Sequence, residues 1–457
     1  MHTELKAGSL SFIESLVMGV AGSAPGFTIA VTTAVLLGTA GTLSPGALLI
    51  FALPMLGIAT AYRALNKRQV SAGAAYQWTT VTFGKLLGFF SGWALLLASM
   101  VFMVTGSLPL ATSTLDFIDP ALASNVVLSA AVASIWFLVV ALVLIVGIEV
   151  TSRVQMAMTS VELVILAVVA AAALWHAAAH GSINPFHWSW FGFGYTRATF
   201  ASTALVVVFF YWGWDVTANL AEETANAEDN AGKGGFVSIF VTIAYYLAFT
   251  IAALFLFSLA RAQSFSDNIV YNIAVAAGFG RTGGLLASFA VILSSIATLE
   301  TTMLQFSRAL FAMGRDGAMP RVFGEVDART RTPVRAMVLL ILVGLFLIWG
   351  SSLMPTVSMI IADSVRAVSV LVAYYYGLAG LVAAHVFAGL WRQAPWRWLT
   401  LSVFPAVSGV ALILLAVYAL TTFDRTTNII GIGGLIAGIV FFRPRRFVIG
   451  ATAAAVE

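Results

Sequence analysis

The sequence predicts an all-α protein that crosses a membrane many times, and two observations carry that prediction. Hydrophobic residues make up 60% of the 457-residue chain and charged residues only 9%, with a mean hydropathy of +0.98. Soluble domains carry about a quarter charged residues. The apolar residues also come in runs of about 20, the length a helix needs to cross a bilayer. A sequence pI near 9.4 does not signal a nucleic-acid partner, because the basic residues are scattered among short loops and form no contiguous basic surface. Cysteine is absent, so no disulfide framework is available. Glu4 and Lys6 precede a long apolar segment with no small-residue cleavage site, which reads as a first spanning helix rather than a cleaved leader.

About twelve spans follow from the length rule: 11–38, 44–65, 86–113, 125–147, 151–176, 198–224, 234–260, 282–314, 333–351, 355–390, 397–420 and 427–442. The segment 355–390 is long enough to include a bent or interfacial piece. Between the second and third spans, Ser71-Ala72-Gly73-Ala74-Ala75-Tyr76 begins a short amphipathic segment, and 266–279 suits a similar one across the opposite mouth. The segment 176–197 holds Phe186, Trp188, Trp190, Phe191 and Phe193, an interfacial aromatic belt. His176 and His180 share a helix face there, but a metal would want a third ligand of matched geometry, so they read as solvated. With the N-terminus in the cytoplasm, every one of the 23 lysines and arginines falls on the inner side except Arg197, Arg261, Arg281, Arg366 and Arg425. That positive-inside bias predicts a multi-pass cell-membrane protein with both termini cytoplasmic.

Two spans contain expensive residues. Phe209-Phe210-Tyr211-Trp212-Gly213-Trp214-Asp215 places a carboxylate at membrane depth, which marks a functional site unless it has a partner. Gly213 is a place where the helix opens its backbone. The first span contains Gly22-Ser23-Ala24-Pro25-Gly26, which will not hold an unbroken helix because proline removes a donor and clashes with the preceding turn. Non-helical backbone at this depth survives only in protein or against a cavity. The second break follows the first by about 190 residues, and two such interruptions at matching places in two halves point to a transporter site built from discontinuous helices. Unpaired amides around Gly26 to Ile29 suit a substrate carboxylate. Freed carbonyls around Trp212-Gly213 suit an ammonium. A site with both ends reads an α-amino acid; one using mainly carbonyls, Asp215 and aromatic faces reads an amine.

The chain resembles the amino acid–polyamine–organocation superfamily of transporters over nearly its whole length. The first-helix run Gly22 to Gly26 carries the resemblance, with Phe209 to Asp215 followed by Glu222-Glu223-Thr224, and Ser307-Arg308-Ala309 through Met319-Pro320 followed by Thr332-Pro333. The resemblance implies the LeuT-type fold, in which helices 1 and 6 are discontinuous and two inverted five-helix repeats (1–180 and 181–391) precede two further helices and a cytoplasmic C-terminus (392–457). It implies uptake or exchange of amino acids or related amines by alternating access. It places substrate at Gly22, Ser23, Ala24 and Gly26, and gives Phe209 the place of an aromatic gate. The chain departs from the family pattern in Ala24-Pro25 and in Trp212 and Trp214, indoles that either shrink the pocket or supply cation–π faces.

Glu162, Asp215, Glu300 and Asp363 lie within predicted helices. Asp363 has Arg366 three residues on and reads as an intrahelical pair. Glu162, Asp215 and Glu300 have no basic residue within one turn, and a carboxyl held near neutrality and alternately exposed to two sides is what a proton-coupled carrier needs. Glu162 falls where proton-coupled relatives resemble one another in carrying a lysine. These readings assign proton coupling to Glu162 and Asp215, and substrate contact to Phe209, Trp212, Gly213, Asp215 and Glu300. Glu222 and Glu223 read as a helix end or part of an inner gate, and Arg315-Asp316-Gly317 as the stop of the eighth helix. No cofactor is expected; the proton is the expected coupling ion, and the partners are an amino acid or amine and the lipid bilayer. An exchanger and an amine or polyamine carrier remain alternatives. No nucleophile, metal cluster or phosphate-binding loop favours an enzyme or a nucleotide-driven pump.

Overall fold

Capping residues, glycine and proline decide where the helices start and stop. The computed structural model describes residues 4–265, 268–423 and 425–444, so Arg445 and Arg446 lie outside the described residues. Helix α1 (Phe12–Ser23) opens on a capping box in which Ser11 and Glu14 satisfy one another's backbone amides, removing two orphan donors. Ala24 takes a left-handed conformation with φ 46°, and α2 (Pro25–Ala40) starts at once on Pro25. Proline fits that position because its φ is already helical and it has no amide to leave unpaired. There follow α3 (Ser44–Arg68), α4 (Ala75–Phe83), α5 (Lys85–Asp116), α6 (Val126–Val146) and α7 (Ile148–His180). Gly147, with φ 127°, makes the turn between α6 and α7 that a residue with a Cβ would resist.

After an aromatic segment, α8 (Arg197–Phe210) ends at Tyr211 and a single turn, α9 (Val216–Asn219), resumes the path. The remaining long elements are α10 (Ala227–Leu256), α11 (Gly280–Arg315), α12 (Val334–Ser351), α13 (Val357–Val386), α14 (Pro395–Ala419) and α15 (Ile429–Val440). Helix α11 is the central post. It packs against α1, α2, α5, α7 and α9, and every residue from Leu299 to Gly314 is buried.

Nine helical stretches among the described residues are long and apolar enough to cross a membrane. The difference from the sequence reading has local causes. The spans 11–38 and 44–65 run on as one interrupted stretch, Phe12–Arg68. The span 198–224 stops at Phe210, and the last forms only the shorter Ile429–Val440. The segment starting at Ser71 leads into the short helix α4, in which Ala75 to Thr80 are buried. Within the other, Ile269–Ala274 is helical, while residues 266 and 267 lie outside the described residues. The rings of His176 and His180 stack at 4.4 Å, and no group of three or more His, Cys, Asp or Glu suited to a metal occurs among the described residues.

Candidate functional site

The two interruptions face each other and touch. A Cβ added to Gly22 would collide with the Gly213 carbonyl oxygen, and one added to Gly213 (φ +102°) would collide with the Gly22 carbonyl. Glycine is therefore required at both positions by backbone-to-backbone contact, and at Gly213 by its conformation as well. Gly22→Ala is expected to abolish uptake and to lower the unfolding temperature in detergent by several degrees. Its effect comes from prising the two breaks apart rather than from filling a pocket. Unchanged stability with only a raised KM would contradict this contact.

The groups freed by the first break are already engaged. The Gly22 carbonyl accepts from Thr298 Oγ1 at 3.1 Å. The Ser23 carbonyl accepts from Tyr246 OH at 2.7 Å and from Thr28 Oγ1 at 3.0 Å, while the Ser23 hydroxyl turns back to the Gly19 carbonyl. The Gly26 amide donates to Glu162 Oε1 at 2.9 Å. Sequence reading reserved that amide for a substrate carboxylate; the structure gives it to the protein's own. A helix N-terminus favours a negative partner, and Glu162 supplies it from α7 while remaining fully buried. Its second oxygen, Oε2, has no hydrogen-bond partner among the described residues, and neither has Ser294 Oγ. Glu162 Oε1, Ser294 Cβ and the Ala290 carbonyl all lie close to where a Gly26 Cβ would project.

The second break is organised around Asp215. Its Oδ2 accepts from Gln305 Nε2 at 2.8 Å and Tyr375 OH at 3.0 Å, and its Oδ1 accepts from Tyr376 OH at 2.8 Å. Trp212 Nε1 donates to Tyr375 OH at 2.7 Å, which commits that hydroxyl's own proton to Asp215. Three donors from α11 and α13 thus converge on a fully buried carboxylate. Gln305 Nε2 also reaches Asn219 Oδ1 at 3.2 Å. Over the break, Phe102 packs edge-on to Phe27 at 5.9 Å and to Trp212 at 5.2 Å, and Phe209 lies 6.4 Å from both Phe102 and Trp212. Trp214 packs on Tyr62 and Tyr376. Both indoles are buried in protein, and neither faces lipid.

Beyond α9 the chain packs against the C-terminal end of α11. Glu223 and Arg308 form a two-pronged ion pair, Nε to Oε2 and Nη2 to Oε1, both 2.9 Å, at 1% and 0% side-chain exposure. Arg308, which the sequence count assigns to the inner side, is thus fully buried. Glu222 holds Arg315 through both oxygens and accepts from the Ala72 amide. The Glu223 carbonyl accepts from Leu10 N at 3.0 Å, and Ala225 N donates to Leu10 O at 2.7 Å, tying the N-terminal segment to this end. Helix α11 stops at Arg315, with Asp316 capping it and Gly317 at φ 73°.

A sequence profile of the amino acid permease family matches residues 10–448. The chain belongs to the amino acid permease family. Among relatives of this family member are the branched-chain amino acid permease BcaP of Bacillus subtilis, 29% identical over 65% of this chain and 66% of that one, and the low-affinity putrescine importer PlaP of Escherichia coli, 26% identical over 72% of each. Cationic amino acid transporter 4, vacuolar, of Arabidopsis thaliana is 26% identical over 73% of this chain. The chain spans a little over half, 56%, of that plant protein's length. The structure is similar to the crystal structure of MhsT in complex with L-phenylalanine, with a TM-score of 0.64 and 14% identity, covering 90% of this chain and 99% of that one. That likeness shows the fold, a LeuT-like one. The relatives are permeases, transporters and an importer, not enzymes.

In this family member, Gly22, Ser23, Ala24 and Gly26 meet Phe209, Trp212, Gly213 and Asp215 at one place, and Glu162 joins them. Glu300 does not. Thr298 and Gln305 mark the face of α11 turned to the breaks, and at 100° per residue Glu300 stands about 200° around the helix from Thr298. It is 1% exposed with neither carboxylate oxygen partnered among the described residues. Asp363 and Arg366 pair at 3.3 Å. Sequence reasoning missed Thr298, Tyr246, Gln305, Tyr375 and Tyr376, all polar positions in apolar helices far along the chain from what they bind. The adjacent tyrosines Tyr374-Tyr375-Tyr376 were the one signal available.

Proposed function

We propose that this chain is a secondary active transporter that imports amino acids or related amines by alternating access, driven by protons. On this reading the fold comprises twelve spans, with discontinuous helices 1 and 6, inverted repeats at 1–180 and 181–391, and a final pair of helices in 392–457. It sits in the cell membrane with both termini in the cytoplasm, as the lysine and arginine distribution supports. Substrate binds beside the two breaks under Phe209 and Trp212. The proton resides on Glu162 and is exchanged at Asp215.

One observation carries the reading: a buried carboxylate with one oxygen on the Gly26 amide and the other unpartnered. A proton on Oε2 displaces no existing hydrogen bond, so Glu162 can load and unload without dismantling the break. Asp215 differs, because a proton there displaces one of three donors. Its charge state is thereby linked to the position of α13, which suits a group whose protonation accompanies a change of conformation.

A second reading concerns the substrate. Because Glu162 fills the place where a carboxylate would bind, an amine without a carboxylate fits the first break without competition, and the similarity to a putrescine importer agrees. A thermal-shift screen of purified protein against amino acids and amines separates the two. A ligand at about 100 times its Kd adds roughly 2.7 kcal/mol of stability. Stabilisation by neutral amino acids supports the first substrate class and stabilisation by diamines alone the second. Silence across both classes refutes the proposal.

A further inference from the structure

Three tryptophans and two arginines fall within residues 391–398, where the chain turns from α13 into α14. Both helices are long and apolar enough to cross a membrane, so the turn between them stands at a membrane surface. Its backbone is well tied. The Leu390 carbonyl accepts from the Gln393 amide at 3.1 Å and the Ala394 amide at 2.8 Å. Ser402 Oγ donates to the Ala384 carbonyl across the base of the turn at 2.8 Å. Its side chains are left outside: Trp391 is 55% and Trp396 75% exposed, and Arg392 and Arg397 are exposed as well.

Neither arginine has a carboxylate partner among the described residues, and no Asp or Glu stands between Asp363 and Asp424 in the sequence. Arg392 lies instead over the Trp391 ring, its guanidinium carbon 4.8 Å from the centroid. Just before the turn, Arg68 from the end of α3 lies over Phe387 at 6.0 Å. A guanidinium placed over a ring keeps N–H donors for oxygen, and their fork matches a phosphate. Two unpaired guanidiniums are too costly among acyl chains, while exposed indoles gain nothing from open water. Indoles settle at headgroup depth, and the arginines beside them then stand level with the lipid phosphates.

We propose that residues 391–398 form a headgroup site for an anionic phospholipid. Arg392 and Arg397 take the phosphate oxygens, and Trp391 and Trp396 lie beside them at the boundary with the acyl chains. A zwitterionic headgroup brings its own ammonium to compete with the guanidiniums; an anionic one does not. On the topology proposed above, the site faces the inner leaflet, whose surface is negative. It fastens to the membrane surface the end of α13, the helix whose Tyr375 and Tyr376 bind Asp215.

The chain has no cysteine, so Gln393→Cys gives a single thiol for a fluorophore inside the turn. Full-length labelled protein is placed in phosphatidylcholine vesicles that contain a small, equal fraction of one quencher lipid. That lipid is phosphatidylglycerol in one set and phosphatidylcholine in the other, both with brominated acyl chains. The proposal expects phosphatidylglycerol to quench the more strongly, with a preference of about fivefold per arginine that weakens in high salt. Adding Arg392→Gln and Arg397→Gln should abolish the preference without changing the unfolding temperature in detergent, since neither side chain has a carboxylate partner. Arg392→Lys with Arg397→Lys keeps the charge and should retain part of the preference. Equal quenching by the two lipids overturns the headgroup site and leaves an aromatic belt. No quenching by either places the turn in water and overturns it as well. A preference that survives both glutamine substitutions assigns the anionic lipid to other basic residues, which also overturns the site.

Discussion

Glu162→Gln protein is expected to exchange labelled substrate across a proteoliposome membrane at near the wild-type rate, yet to lose accumulation driven by a pH gradient. The amide side chain has almost the shape of the carboxylate, and its oxygen can still accept from the Gly26 amide as Glu162 Oε1 does at 2.9 Å. The first break therefore keeps its cap. What disappears is the titratable oxygen. One unit of pH gradient is worth about 1.4 kcal/mol per proton, a tenfold concentration ratio, so a one-proton carrier should lose about that factor for each unit imposed. Glu162→Ala should be worse on both counts, because it also strips the cap from the Gly26 amide. Loss of exchange in Glu162→Gln would make the residue structural. Retained accumulation would place the proton elsewhere.

The second large effect is expected at the buried Glu223–Arg308 pair. Removing one partner of a buried ion pair leaves an uncompensated charge and costs about 3–5 kcal/mol, whereas replacing both by apolar residues is often neutral. Arg308→Met should therefore leave Glu223 stranded at 1% exposure and sharply lower the unfolding temperature in detergent. The double variant with Glu223→Met should recover most of the loss. Additive effects of the two substitutions would mean that the pair contributes no coupling. The backbone of the same Glu223 accepts from Leu10, so limited proteolysis of the N-terminal segment should quicken in the single variant and slow again in the double.

The many-helix membrane architecture and the two interruptions were legible because glycine and proline interrupt apolar runs in few ways. Gly22 to Gly26 and Gly213 declare their breaks, and Asp215 declares a cost that something must meet. The partners that meet it were not legible. Gln305, Tyr375 and Tyr376 come from helices 90 to 161 residues away, and a tyrosine in an apolar helix reads equally well as core or interface. Helical phase was the other loss. Nothing within 282–314 says which face turns to the breaks, so Glu300 was singled out and Thr298, which caps the Gly22 carbonyl, was missed. Arg308 looked like a topological charge for a related reason: its neutralising partner lies 85 residues earlier. Glu162 stood out as a carboxylate with no basic residue within one turn, but only the fold shows that it caps a helix N-terminus.

The central claim is that this family member couples substrate entry to protons through a carboxylate seated in the first break. The most direct measurement is uptake of a stabilising ligand into sodium-free proteoliposomes under an imposed pH gradient, alkaline inside, with proton entry recorded in parallel. The account predicts transient accumulation that rises with the gradient, a matching substrate-dependent proton influx, and loss of both in Glu162→Gln. Accumulation that ignores the pH gradient and appears only when sodium is added would contradict it.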